Sequence, residues 1–243
     1  MSGRGAAPGA GAPRRVALLA PMRQELGPLV RRLGLRRRAG PDPVFAGRRG
    51  AVEVVARLSG IGTRAAARAA EAALDAGGLD RVVVVGIAGG VAPELALGEL
   101  IVPEVVVDLA SGAVHRPAPL GGATPRGALA TSDRLIGDPE ELASLARRGI
   151  LAIDMETAAV AAVCEARGCP WSVFRAISDR ADGSVDPEIL ALAGPDGRGD
   201  LRAVARFAAT RPWRLPQLVR LARGTRRAAE AAARAAARAI GEA

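Results

Sequence analysis

The sequence predicts an α/β fold, and three observations carry that expectation. Residues 150–182, ILAIDMETAAVAAVCEARGCPWSVFRAISDRAD, read as strand, helix, strand. An apolar run, Ile150 to Ile153, ends in Asp154 and Glu156; a helix-patterned segment, Thr157 to Arg167, stops at Gly168; a second apolar run, Trp171 to Ile177, ends in Ser178, Asp179 and Asp182. Short apolar runs at 16–20, 52–58 and 81–85 are each followed by a Gly- or Pro-bearing turn. Finally, 243 residues with a 49% hydrophobic composition suit one α/β domain, or one domain with a tail. A crossover through a helix implies parallel strands whose carboxyl ends share one rim of the sheet, so Glu156 and Asp179 are expected to meet there. Carboxylates at such a rim face a crevice, where their proton affinities can be set for acid, base or hydrogen-bonding work.

Composition narrows the chemistry. Lysine and tyrosine are absent, all 34 basic residues are arginines, and there is one histidine, so a Schiff-base lysine and a tyrosine acid are excluded and acid–base work falls to Asp and Glu. Cys164 and Cys169 form no CxxC pair and have no second Cys or His cluster beside them, so they read as reduced cysteines of a cytoplasmic protein, and neither a metal site nor a cofactor is expected. The first thirteen residues, rich in Gly, Ala and Pro, are expected to be disordered. Arg23, Gln24 and Glu25 break the apolar run after Arg14-Arg15, which reads as a first strand and not as an export signal; no run approaches transmembrane length.

In order, Val16 to Ala20 is a strand, and Pro21 to Leu26 turns into a helix containing Leu29, Val30 and Leu33, with Glu25 in its first turn, where a carboxylate commonly caps or meets the dipole. Residues 36–50 form a turn-bearing connection to the strand Val52 to Leu58. Ser59-Gly60-Ile61-Gly62 then leads into the helix Thr63 to Ala76, a turn able to cradle an anion or simply to join strand to helix. The strand Arg81 to Val85 precedes Gly86-Ile87-Ala88-Gly89-Gly90-Val91. Leu95 to Asp108 reads as a turn and a strand, a Gly/Pro-rich loop holding His115 runs to Ala128, and Leu129 to Asp133 is a strand. Asp138 caps a helix to Arg148.

IDMETAAVA followed by FRAISDRAD closely resembles the adenosine-specific nucleosidases of the purine nucleoside phosphorylase superfamily, the methylthioadenosine/S-adenosylhomocysteine nucleosidase type. The resemblance covers most of residues 15–182 and implies a three-layer α/β/α sandwich around a mixed, partly barrel-like sheet, in a homodimer or larger homo-oligomer. It also implies roles. Asp179 would hydrogen-bond the purine and deliver a proton to N7, supported by Ser178. Glu156 would bind the ribose hydroxyls with Met155 against the sugar. Glu25 would activate water, and Arg175 would orient that water or a carboxylate. Gly89 and Ile87 would lie in the glycine-rich loop close to the nucleoside, and Leu135, with Ile136, would stand where an aromatic commonly stacks on the base. Three departures are visible: Ile87 replaces a hydroxyl residue, Val84 stands where phosphorylases place a phosphate-binding arginine, and the substrate-covering insertion between Asp108 and Ala128 is short. The first two favour hydrolysis over phosphorolysis. A phosphate-dependent phosphorylase and a non-catalytic nucleoside- or lipid-binding protein are the competing readings.

The chain is expected to divide into an N-terminal segment, 1–13, a nucleosidase domain, 14–197, and an Arg-rich helical tail, 198–243. The tail holds eleven Arg against Asp200, Glu230 and Glu242, eight of the nine net positive charges. Its helix reads either as packed by its Leu/Ala side or as an amphipathic segment drawn to an anionic membrane surface at the inner membrane; nucleic acid has no supporting motif. Pro195-Asp196-Gly197 and RPWRLPQLVRLARGTRRA, with the shortened middle, resemble the hopanoid-associated branch of the superfamily, which implies adenosylhopane as a substrate.

Overall fold

The computed structural model describes residues 14–40, 43–180 and 210–242. The first thirteen residues, Asp182, the 195–197 turn and the expected domain boundary at 197/198 lie outside the described residues. In chain order the elements are β1 (Arg15–Ala20), α1 (Arg23–Arg32), β2 (Arg36–Arg37), β3 (Val44–Arg49), β4 (Val52–Leu58), α2 (Thr63–Asp75), β5 (Arg81–Gly90), β6 (Leu100–Ile101), β7 (Val105–Asp108), β8 (Val114–His115), β9 (Ala128–Thr131), α3 (Pro139–Arg147), β10 (Ile150–Asp154), α4 (Thr157–Ala166), β11 (Trp171–Arg180) and, after a 3₁₀ turn at Pro212–Arg214, α5 (Leu215–Gly241).

The strands form one mixed sheet of eleven with the order β2-β3-β4-β1-β5-β10-β9-β7-β8, and β11 with β6 joins along β5. The sheet is not a closed barrel. Alternation along β5 sorts its side chains between two helical layers. Val83 and Val85 face a core shared with α1 and α5, built on Val16, Leu18, Leu29, Phe174 and Ala232. Val82 and Val84 face a core shared with α2 and α4, built on Leu19, Ala70, Val160 and Trp171. Helix α3 closes a smaller cluster through Leu142 and Leu145, and its N-cap Asp138 accepts Glu141 N–H at 3.1 Å.

The sequence of the second half misleads in one respect. β10 and β11, joined through α4, are not parallel neighbours: they lie on opposite edges of β5, β11 parallel to it and β10 antiparallel. The reason is the length of β5. It runs ten residues where the apolar run suggests five, because Gly86, Gly89 and Gly90 continue the strand instead of forming a loop. Its first half pairs with β1 through Val84, and its far end meets β10 through Gly89 and Gly90.

Helix α5, about 40 Å long at 1.5 Å per residue, is packed by alanines. Ala228, Ala229, Ala232, Ala233, Ala236, Ala239 and Ile240 are buried at helical spacing, and buried Gly224 brings its backbone against the carbonyl of Ser178. The helix therefore belongs to the α1 layer of the fold. No helix among the described residues is long and apolar enough to cross a membrane.

Candidate active site

The site begins with an opening in the sheet. Between Val84, the last residue of β5 paired with β1, and Gly89, the first paired with β10, that edge of β5 has no strand beside it among the described residues. Ile87 points its N–H and C=O into the opening, and buried backbone groups require partners. Side chains supply them: Glu25 Oε1 accepts Ile87 N–H at 2.8 Å, and Arg175 Nη1 donates to Ile87 O at 3.2 Å.

Glu25 reaches this place from the first turn of α1. Its Oε2 accepts the N–H of the N-cap residue Met22 at 2.9 Å, so the capping use of a helix-start carboxylate and its site use coincide. The side chain is 1% exposed. Burial pushes its pKa up to about 8, against the opposing pull of Arg175 and of the Ile87 and Met22 amides.

Arg175 crosses from β11 over Gly86 with no exposed surface. Its Nη1 lies 3.9 Å from Glu25 Oε1, while Nη2 lies 2.5 Å from Asp154 Oδ2 and 3.2 Å from Glu156 Oε2. Burial works against its charge, but Asp154, then Glu156 and Glu25, outweigh that and hold the guanidinium firmly protonated. The crossing depends on a missing side chain. A Cβ on Gly86 would stand 2.3 Å from Glu25 Oε1 and 2.5 Å from Arg175 Nη1.

Glu156 stands at the N-cap of α4 yet makes no side-chain cap. Its Oε1 instead accepts Gly62 N–H at 2.9 Å, from the Ser59–Gly62 turn, and burial raises its pKa, with Arg175 opposing and Asp154 adding to the rise. Asp154 does the local capping work. Its Oδ1 accepts Thr131 Oγ1 at 2.7 Å and the N–H groups of Thr157 and Glu156 at 3.3 and 3.4 Å, and its Oδ2 accepts the Thr157 hydroxyl.

The antiparallel approach of β10 sets the spacing of the site along β5. Ile153 pairs with Gly89, so the chain beyond it runs back toward Gly86, and Glu156 reaches Arg175 there; Asp179 pairs with Gly89 itself. Three residues of strand separate the two levels by about 10 Å. At the Gly89 level a Cβ would lie 3.5 Å from Asp179 Oδ2, and Ser178 Oγ donates to Asp179 Oδ1 and lies 3.3 Å from Ala88 O.

Sequence reasoning thus names Glu25, Glu156 and Arg175, which meet, and Asp179, Ser178 and Gly89, which lie one step along β5. Met155 is half-buried between Asp154 and Glu156. The side chain of Ile87 packs on the α1/α5 core while its backbone serves the site. Leu135 is 48% exposed on the loop after β9, and Ile136 packs against the α3 cluster. The sequence assigns no site role to Asp154, Thr131 and Thr157. Asp154 carries a visible signal, a second carboxylate ending the same strand; the two threonines become partners only through tertiary contact, while Gly62, in the turn read as able to cradle an anion, meets the Glu156 carboxylate. His115 lies elsewhere, its Nδ1 2.7 Å from Glu165 Oε2. Among the described residues no group of His, Cys, Asp or Glu is arranged to hold a metal ion.

The chain is similar in sequence and in fold to known proteins. The model of the phosphorylase superfamily matches residues 15–122 and 118–210. A 5′-methylthioadenosine/S-adenosylhomocysteine nucleosidase of Geobacillus thermodenitrificans is 30% identical over 202 residues, 69% of this chain and 84% of that protein. The Geobacillus kaustophilus protein of the same name is 32% identical over 167 residues, 56% of this chain and 70% of that one. Among solved structures, the Neisseria meningitidis nucleosidase of this name, in complex with methylthio-immucillin-A, superposes with a TM-score of 0.70 at 20% identity, covering 95% of this chain and all of that one. Futalosine hydrolase of Helicobacter pylori superposes with a TM-score of 0.71 at 19% identity, covering 95% and 98%. With most of the chain matched by one family model and the buried carboxylates and arginine standing together at one opening of the sheet, the chain belongs to the phosphorylase superfamily, in its 5′-methylthioadenosine/S-adenosylhomocysteine nucleosidase family.

Proposed function

We propose that this protein cleaves the N-ribosidic bond of a 5′-substituted adenosine by carboxylate-assisted hydrolysis, releasing adenine. The observation that carries the reading is Glu25: a buried carboxylate, oriented by two backbone amides, whose proton affinity sits near neutral pH beside Arg175 and Glu156. In the reaction the bond between C1′ and the purine nitrogen breaks and a bond from water oxygen to C1′ forms. Glu25 takes the proton from the water. A proton reaches the departing purine through Asp179, held by Ser178, and Glu156 holds the ribose and stabilises the positive charge that develops on it. The spacing along β5 supports this division, with base at the Gly89 level and sugar at the Gly86 level.

Water as the nucleophile, rather than phosphate, is supported by charge. The guanidinium of Arg175 is already engaged by Asp154 and Glu156, and Val84 is a buried apolar residue, so neither offers a phosphate dianion a partner. The test is adenine release from methylthioadenosine and from adenosylhopane, with and without phosphate, followed by chromatography. Adenine without phosphate supports hydrolysis, and the preferred substrate identifies the 5′ group; a strict need for phosphate overturns it. Asp179→Asn is expected to cost at least about a hundredfold in kcat while leaving the fold intact.

The same reading includes a homodimer or larger assembly, tested by light scattering, and a cytoplasmic protein that meets anionic membrane through α5. Exposed Arg220, Arg223, Arg226 and Arg234 on α5, near 71%-exposed Trp213 and exposed Val219, support the membrane contact. Arg220→Glu with Arg223→Glu and Arg226→Glu is expected to abolish sedimentation with phosphatidylglycerol vesicles. No vesicle binding by the parent protein overturns the contact.

A further inference from the structure

The buried cluster holds one more carboxylate than the proposed reaction uses. Arg175 faces three: Asp154, Glu156 and Glu25. They are not equivalent. Asp154 is closest, at 2.5 Å, and is the best provided with donors, taking hydrogen bonds from both threonine hydroxyls, two backbone amides and the guanidinium. Glu25 is farthest, at 3.9 Å, beyond hydrogen-bond distance. Thr157 Oγ1 fixes the arrangement, since it donates to Asp154 and accepts from Arg175 Nη2 at 3.1 Å. The charged groups that face Glu25 are Arg175 from β11 and Glu156 from the start of α4, with Asp154 of β10 behind Arg175; β5 contributes the backbone of Ile87.

We infer that Asp154 is a positioning residue: by drawing the Arg175 guanidinium to itself it leaves Glu25 without a close counter-ion, free to accept a proton from water. A carboxylate with a cation in contact binds protons weakly, whereas one buried beside an already neutralised cation binds them near neutral pH. Asp154 touches neither water nor substrate in this scheme and acts through Arg175. The inference rests on Glu25 being the base of the proposed reaction.

The experiment is the pH profile of kcat/KM for methylthioadenosine in the parent protein and in Glu25→Gln, Asp154→Asn, Asp154→Ser and Asp154→Glu, with the fold of each checked by circular dichroism. The Gln variant tests the premise, because the ascending limb of the parent profile must disappear in it. The Asp154 variants test the inference. With the Asp154 charge removed, by a side chain of equal volume or by one leaving room for water, Arg175 turns toward Glu25 and the limb moves to lower pH by about one unit or more. Asp154→Glu, which keeps the charge, returns the limb toward its parental position. A limb that stays in place in a folded neutral variant overturns the inference even if turnover drops. Failure of both neutral variants to fold while the Glu variant folds overturns it as well, since Asp154 would then serve the fold and not the base.

Discussion

Glu25 and Arg175 meet over Gly86, two ionisable side chains 150 residues apart in the chain whose closest atoms stand 3.9 Å from each other with no room for a methyl group beneath them. The contact makes a glycine in the middle of a strand a requirement of the site, where a β-branched residue would otherwise pair better.

Gly86→Ala is the direct check. Its new Cβ would overlap both charged groups, and neither is a free chain end, because Glu25 is tied by two amides and Arg175 by Asp154, Glu156 and Thr157. A loss of about 1–3 kcal/mol in unfolding free energy is expected from the overpacking. Displacement of the base by a fraction of an ångström to an ångström is expected to cost on the order of a hundredfold in kcat, read by adenine release. Parental turnover in a folded variant would show that the two groups need not meet.

The raised pKa of Glu25 links the site to stability. Between its ordinary value near 4.5 and about 8, the folded protein binds a proton there that the unfolded chain does not, so this contribution to stability is present in full below the ordinary value and is lost as pH rises through 8. Glu25→Gln removes the titration. Its unfolding free energy relative to the parent protein should therefore climb steadily from pH 5 to pH 8.5 in urea melts, by an amount on the order of a few kcal/mol. A difference independent of pH would mean that Glu25 is ionised throughout.

Glu156→Gln keeps an acceptor for the Gly62 amide but removes the carboxylate that the proposed mechanism sets beside the sugar. A fall of roughly a hundredfold or more in kcat with the fold retained is expected, because the lost interaction strengthens as positive charge grows on the ribose. A change confined to KM would place Glu156 in binding alone.

Gly224→Ala examines the seam between α5 and β11. In an open helix this change gains up to about 1 kcal/mol. Here the Cβ would lie 2.4 Å from the backbone oxygen of Ser178, which cannot rotate away. The clash should win: melting temperature should fall, and turnover with it, because Ser178 and Asp179 move with their strand. An increase in melting temperature would show that the helix slides freely.

Much of this was legible in the linear chain. Runs of Val, Leu and Ile separated by Gly-bearing turns read as strands and helices of an α/β protein, and Asp138 reads as a cap, because these are local signals; the shared rim expected for Glu156 and Asp179 does not form, since β10 runs antiparallel to β5 and β11 parallel to it. The alanine face of α5 was present in its spacing too. Tertiary structure decided the rest. It turned a glycine-rich stretch into the second half of β5, set β10 antiparallel to it, and so placed Glu156 at Arg175 and Asp179 three residues further along. It also supplied Asp154, Thr131, Thr157 and Gly62 as partners, residues separated by up to 95 positions, and raised the proton affinity of Glu25. The reason is physical: strand direction and desolvation depend on which segments lie side by side, and periodicity along the chain reports which face a residue takes but not its neighbour on that face.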